Sequence, residues 1–298
     1  MKIILTGSLG HIGKPLTTEL VQKGNAVTVI SSNPEKQKDI EALGATAAIG
    51  SIDDVEFLTK TFSGADAVYT MIPPGNFLDP NFDLMAGYHK LVNNYAQAIQ
   101  HSGVKRVVHL SSIGAHMDKD SGLIIAHHNA EIILNKLTDV AITFMRPVGF
   151  YYNLNIFSGL IKATGMISSN YGADDIIPWV SPLDIAGAIA KEIVTPLVGR
   201  KILYVASEEL TCNEAATILG EAIGKPNLKW MLISGEELQN RYESFGMNKK
   251  IAAGLAEMQA SMHSGIFYED YYRNKPVLGK VKLKDFAKEF AVAYNKAD

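Results

Sequence analysis

Short apolar runs alternate with longer segments of helical period through the first half of the chain. Lys2 to Thr6, Ala26 to Ile30, Ala45 to Ile49, Asp66 to Met71, Val104 to Leu110 and Ala141 to Met145 read as strands. Ile12 to Lys23, Pro34 to Leu43, Asp53 to Phe62, Phe82 to His101 and Leu123 to Leu137 carry helical spacing between them. Strands this apolar on both faces belong to a sheet covered on both sides, and intervening helices make such strands parallel. The pattern predicts an α/β fold with a doubly wound parallel sheet of the Rossmann type.

The rhythm changes after Arg146-Pro147. Residues 148–178 are rich in glycine, asparagine and aromatic side chains, and 207–298 read as mostly helical. A helix over Pro182 to Val194 and a strand over Lys201 to Ala206 return to the sheet. The expected division is a Rossmann domain over 1–150, with 179–206 returning to its sheet. A smaller, mostly helical substrate lobe is assembled from 151–178 and 207–298. Helix starts are signposted by Asn33-Pro34 and Ser181-Pro182, a capping residue before proline at the first helical position. Thr211 to Glu214 and Ser234 to Glu237 fit capping boxes, and Ser51 caps the third helix.

Composition excludes several classes. With 47% hydrophobic and 20% charged residues the chain has ample core-forming material and is not a disordered one. A net charge of −3 argues against binding nucleic acid by bulk phosphate neutralisation. Cys212 is the single cysteine, so no internal disulfide forms. No apolar run reaches the roughly 18 residues of a spanning helix. The opening MKIILTG breaks at Thr6-Gly7, too soon for a signal peptide. These features lead to the expectation of a cytoplasmic protein with no nucleic-acid and no membrane partner.

The chemistry begins at Gly7-Ser8-Leu9-Gly10-His11-Ile12-Gly13, a three-glycine turn between the first strand and the first helix. Glycines there allow a tight turn, close approach of backbone to a pyrophosphate, and contact of helix with strand, while the helix N-terminus offers free N–H groups. The Rossmann domain is thereby expected to bind a dinucleotide. Proteins selective for NAD usually end the second strand on an acid that bonds the ribose 2′-hydroxyl. Here the segment is Ser31-Ser32-Asn33-Pro34, with Lys36 nearby and no acid. Hydroxyls and a lysine would accept a 2′-phosphate, which favours NADP(H) over NAD(H); the same residues also serve as plain helix capping and a solvated charge. Ser51 and Ile52 follow the third strand, where a loop covers the adenine.

These features resemble the NmrA-like branch of the atypical short-chain dehydrogenase/reductase superfamily. The resemblance rests on Thr6 to Gly13, Tyr69-Thr70-Met71-Ile72-Pro73-Pro74, His109 to Ala115, Glu131 to Leu134, Thr143 to Tyr151 and Leu283 to Phe290. It implies that Met71, Ile72 and Pro73 lie along the pyrophosphate and nicotinamide. Ser111 and Ser112 would end the fifth strand beside the nicotinamide, and Pro147, Val148 and Phe150 would close over it. Members with the standard machinery carry Tyr-x-x-x-Lys, with a glutamate four residues after the lysine. Counting back from Glu131 puts His127 at the lysine position and Leu123 at the tyrosine position. A histidine there looks like the subgroup of quinone reductases and triphenylmethane reductases, which pass hydride from NADPH to conjugated acceptors.

The candidate catalytic residues are His127, Tyr151 and His116. His127 would contact cofactor ribose or substrate, or else be a structural histidine. His116 follows the fifth-strand turn in a loop at the cleft. Tyr151 would supply a phenol, or pack the lobes together. No metal is expected: His127 and His128 are adjacent and point about 100° apart on a helix. The function read from this set is an NADPH-dependent reductase of a quinone-like or conjugated small molecule, an oxidoreductase. The alternative is a non-catalytic NADP(H)-sensing regulator of the NmrA type. A homodimer stays open.

Overall fold

The computed structural model describes residues 1–296. The strands are β1 (Lys2–Leu5), β2 (Ala26–Ser31), β3 (Thr46–Ile49), β4 (Ala67–Met71), β5 (Arg106–Leu110), β6 (Ala141–Pro147), β7 (Gly149–Phe150), β8 (Ile167–Ser169), β9 (Ile176–Val180), β10 (Arg200–Val205), β11 (Glu208–Thr211) and β12 (Trp230–Leu232). The helices are α1 (Gly13–Gln22), α2 (Lys36–Ala42), α3 (Val55–Phe62), α4 (Leu84–Ser102), α5 (Ile125–Asn135), α6 (Ser158–Thr164), α7 (Pro182–Glu192), α8 (Cys212–Ala222), α9 (Gly235–Ser244), α10 (Lys249–Ser264), α11 (Glu269–Arg273) and α12 (Leu283–Lys296).

Seven strands form one parallel sheet in the order β10-β6-β5-β4-β1-β2-β3. Alternate side chains of each strand enter opposite cores. Ile3, Leu5, Val108 and Met145 pack with Leu16 of α1 and Ile189 of α7. Ile4, Val107, Ile142 and Phe144 pack with Phe62 of α3, Tyr95 of α4 and Ile133 of α5. Both faces are therefore buried, and this requires the continuously apolar strands seen in the sequence. The reversal of strand order between β1 and β4 opens a crevice beyond their carboxyl ends, where doubly wound proteins bind ligands.

The remainder departs from expectation in detail. Within 179–206 only β10 joins the large sheet; β9 instead lies between β7 and β11 in a separate three-stranded sheet. β8 and β12 pair as a third, two-stranded sheet. The C-terminal region is mainly helical, and its Trp230, Tyr271 and Phe290 share one continuous core with β1 and α1. The cap of α3 is Asp54, which accepts from the Phe57 N–H at 3.0 Å; Ser51 accepts from Asp53 N–H instead. Ser234 caps α9 from one side only, whereas Thr211 and Glu214 close a full capping box on α8. Among the described residues no helix is long and apolar enough to cross a membrane.

Candidate functional site

The three-glycine turn is shaped by its backbone. Gly7 and Ser8 have φ of 90° and 54°, and Ser8 N–H donates to Ile30 O at 3.1 Å. A Cβ on Gly13 would stand 2.0 Å from Ser8 O, so this position admits only glycine. Gly10 differs: a Cβ there would meet only Gly7 O at 3.6 Å, leaving open space above the turn. α1 begins at Gly13 with no side-chain cap and no acid in its first turn. Uncapped N–H groups, a positive dipole end and open space above a glycine form a phosphate cradle, and these residues fit a dinucleotide pyrophosphate. Leu9 and Ile12 pack against the core, and His11 is exposed.

Ser8 and Ser31 share a hydroxyl contact of 3.0 Å, and Ser31 is buried while also holding the Asn33 backbone. Ser32 is exposed. Lys36 pairs with Asp39 at 3.1 Å on the surface, a weak exposed pair from which the lysine can swing. Ser51 is exposed and Ile52 packs against the core beside it.

Met71 ends β4 against Gly7, its N–H donating to Thr6 Oγ1 at 3.2 Å and its carbonyl accepting from Tyr95 OH at 3.0 Å. Ile72, Ser111 and Val148 are enclosed. Pro147 is buried, whereas Pro73, Ser112 and Phe150 are half-buried at the strand ends. Ser111 Oγ donates to Glu131 Oε1 at 2.6 Å, so its hydroxyl is directed inward. Glu131 also takes Nε and Nη2 of Arg146 at 2.9 and 2.7 Å. Arg146 Nη1 reaches Asp270 on α11 at 3.0 Å. Burial works against the Arg146 cation, and the bonds and charge of Glu131 more than offset it, keeping the guanidinium charged. This cluster, which sequence reasoning missed, ties β5, α5 and β6 to the C-terminal region.

The three candidate catalytic residues each have different surroundings. Tyr151 is 1% exposed; its phenol bonds Glu208 Oε1 at 2.8 Å and Val281 O at 3.2 Å, and its ring stacks on Phe286 of α12. Burial, then the Glu208 carboxylate, raises its pKa far above a phenol's usual value. The phenol is thus bonded within the packing of α12, and the adjacent Tyr152 faces the glycine turn instead, stacked on His11 and 5.1 Å from the Phe150 ring. His116 lies beside the Arg146–Asp270 cluster; burial lowers its pKa, with Asp270 opposing. His127 is half-buried at the start of α5, its Nδ1 enclosed without a partner, and burial holds its pKa down to about 4. Leu123 packs against Gly254 of α10, where an added Cβ would meet Leu123 Cδ2 at 2.6 Å. No group of three or more His, Cys, Asp or Glu side chains converges for a metal among the described residues.

A glycine cradle at the first strand end of a seven-stranded doubly wound sheet defines a dinucleotide-binding protein. Residues 7–162 match the NAD(P)H-binding family, and the chain belongs to it. An NAD(P)H azoreductase of Xenophilus azovorans is 22% identical over 261 residues, 87% of this chain and 86% of its own. The fold is shared with an NADPH-dependent quinone oxidoreductase of Escherichia coli complexed with NADPH, at a TM-score of 0.81, 20% identity, and 96% and 99% coverage of the two chains. It is also shared with the Citrobacter sp. triphenylmethane reductase complexed with NADP(H), at a TM-score of 0.78, 22% identity, and 97% and 99% coverage.

Proposed function

We propose that this protein is an NADPH-dependent reductase of a quinone-like or otherwise conjugated small molecule. The observation that carries the reading is the occupant of position 123, a leucine packed on α10 where a tyrosine acid would stand. NADPH, when bound, supplies the hydride. An isolated ketone receiving hydride needs a positioned acid, whereas a quinone, azo or triarylmethyl acceptor spreads or neutralises the arriving charge. A site without a phenol at that position suits the second kind.

In this reading the turn from Gly7 to Gly13 holds the pyrophosphate, Ser51 and Ile52 border the adenine, and Ser31, Ser32 and Lys36 stand by the 2′-phosphate. Met71 to Pro73, Ser112 and the main chain of Pro147 and Val148 border the nicotinamide. His127 donates to an oxygen of ribose or acceptor. The rings of Phe150, Tyr152 and His11, a continuous aromatic run, form a flat wall for a conjugated acceptor. The similarity to an azoreductase and the fold shared with a quinone oxidoreductase and a triphenylmethane reductase support this class.

The test is NADPH oxidation, followed by absorbance, with a panel of quinones, azo dyes and triarylmethane dyes against simple ketones. Turnover restricted to conjugated acceptors is expected. NADPH that binds but is oxidised by none of them overturns the reading and returns the NADP(H)-sensing alternative.

A further inference from the structure

His109 and His127 sit on elements packed against each other, the strand β5 and the helix α5. His109 is 0% exposed and edge-on to Phe144. Its Nδ1 lies 2.8 Å from Thr70 Oγ1, on the neighbouring strand and in direct register. Its Nε2 is enclosed with no partner, and so is Nδ1 of His127. The rings are near enough for charge on one to bear on the other. An enclosed, unpaired polar atom costs about 1–3 kcal/mol, so two such atoms on neighbouring rings point to one shared solution.

The Thr70 hydroxyl has one proton, and His109 Nδ1 is the partner found for it. If the hydroxyl donates there, the His109 proton resides on Nε2, the enclosed and unpaired atom. His127 Nδ1 has no proton source of its own in the interior and can accept it. The proton of His127 then resides on Nε2, the nitrogen that is not enclosed. Burial keeps both rings neutral.

We propose that Thr70 and His109 are a positioning pair for His127: His109 Nε2–H donates through one enclosed water to His127 Nδ1 and fixes His127 in its Nε2–H tautomer. His127 thereby presents a neutral, preset N–H donor at the strand ends, suited to an oxygen acceptor and not to proton delivery. The inference deepens the role given to His127 above. Its test uses the protein alone, so failure of the reductase reading would not imitate its failure.

Long-range proton–nitrogen correlation spectra of the nitrogen-labelled protein at neutral pH report each ring's tautomer, with His127→Gln assigning the His127 signals. The expected result is a pyrrole-type Nε2 and a pyridine-type Nδ1 for both rings. In His109→Phe the His127 signals should collapse to a mixture of tautomers, which a merely structural His109 would not cause. Should that variant not fold, Thr70→Val, which keeps shape and removes the hydroxyl, should give the same mixture. A wild-type His127 protonated on Nδ1, or a His127 tautomer unchanged in the folded variants, overturns the proposal.

Discussion

The ring of Tyr152 lies flat on that of His11, with centroids 4.5 Å apart and planes 20° from parallel. The phosphate cradle and the segment after β6 are thus in contact through two flat faces, and Phe150 extends the run. A conjugated acceptor bound against this wall would gain stacking worth about 0.5–1.5 kcal/mol beyond area burial. Tyr152→Ala should therefore raise the KM for planar acceptors about three- to tenfold, with affinity for NADPH changed far less. Steady-state kinetics with a quinone and direct NADPH titration check both halves; an unchanged acceptor KM removes the aromatic wall from the site.

Tyr151 carries the opposite expectation. Its hydroxyl is committed to Glu208 and Val281 in the packing of α12. Tyr151→Phe should cost about 1–3 kcal/mol of stability by leaving a part-buried carboxylate short of a donor. Reductase rate at low temperature should hold. Urea denaturation alongside turnover decides it, and lost rate at unchanged stability would return the phenol to the chemistry.

Gly10 has room for a Cβ in the protein alone, with only Gly7 O at 3.6 Å. Gly10→Val should accordingly fold, with wild-type circular dichroism, yet lose NADPH binding because the branched side chain fills the space a pyrophosphate needs. Normal NADPH binding by the folded variant would move the cradle elsewhere.

Cofactor choice turns on the exposed Ser32 at an acid-free strand end. The wild type should bind NADPH more tightly than NADH, and Ser32→Asp should weaken NADPH specifically by setting a carboxylate against the 2′-phosphate. Fluorescence titration of both nucleotides on both proteins gives the answer. An NADPH affinity insensitive to Ser32→Asp places that phosphate away from β2.

How much of this was legible in the sequence depended on range. The large parallel sheet was, because strands buried on both faces and separated by helices leave a pattern within each short window. The β7, β8, β9, β11 and β12 strands were not, since they form small two- and three-stranded sheets outside the regular alternation of strand and helix. Ser51 carries the capping oxygen that the sequence pattern picks for α3, and the helix is capped by Asp54, three positions on, instead. Adjacent Tyr151 and Tyr152 look equivalent as letters, yet the turn sends one into α12 packing and the other to His11. The Arg146–Asp270 bond spans 124 positions, so nothing local announces it. His109 did leave a signal: one imidazole beside Val107, Val108 and Leu110.

The imidazoles of His109 and His127 also set how stability responds to acid. Their ordinary value is 6.5; in the folded chain burial lowers His127 to about 4, while burial and then the nearby His127 lower His109 to about 3. The unfolded chain therefore binds protons at both positions before the folded chain does. Stability from keeping them neutral is complete above the unfolded value of 6.5 and is lost as pH falls toward the folded values. Within that window each histidine should steepen the loss by about 1.4 kcal/mol per pH unit. His127→Gln removes one of the two titrations. Urea denaturation at a series of pH values from neutral down to the folded pKa of His127 should give a variant slope shallower by about that amount. Parallel slopes for wild type and variant would mean that His127 takes up its proton as readily folded as unfolded, and would place its ring in water.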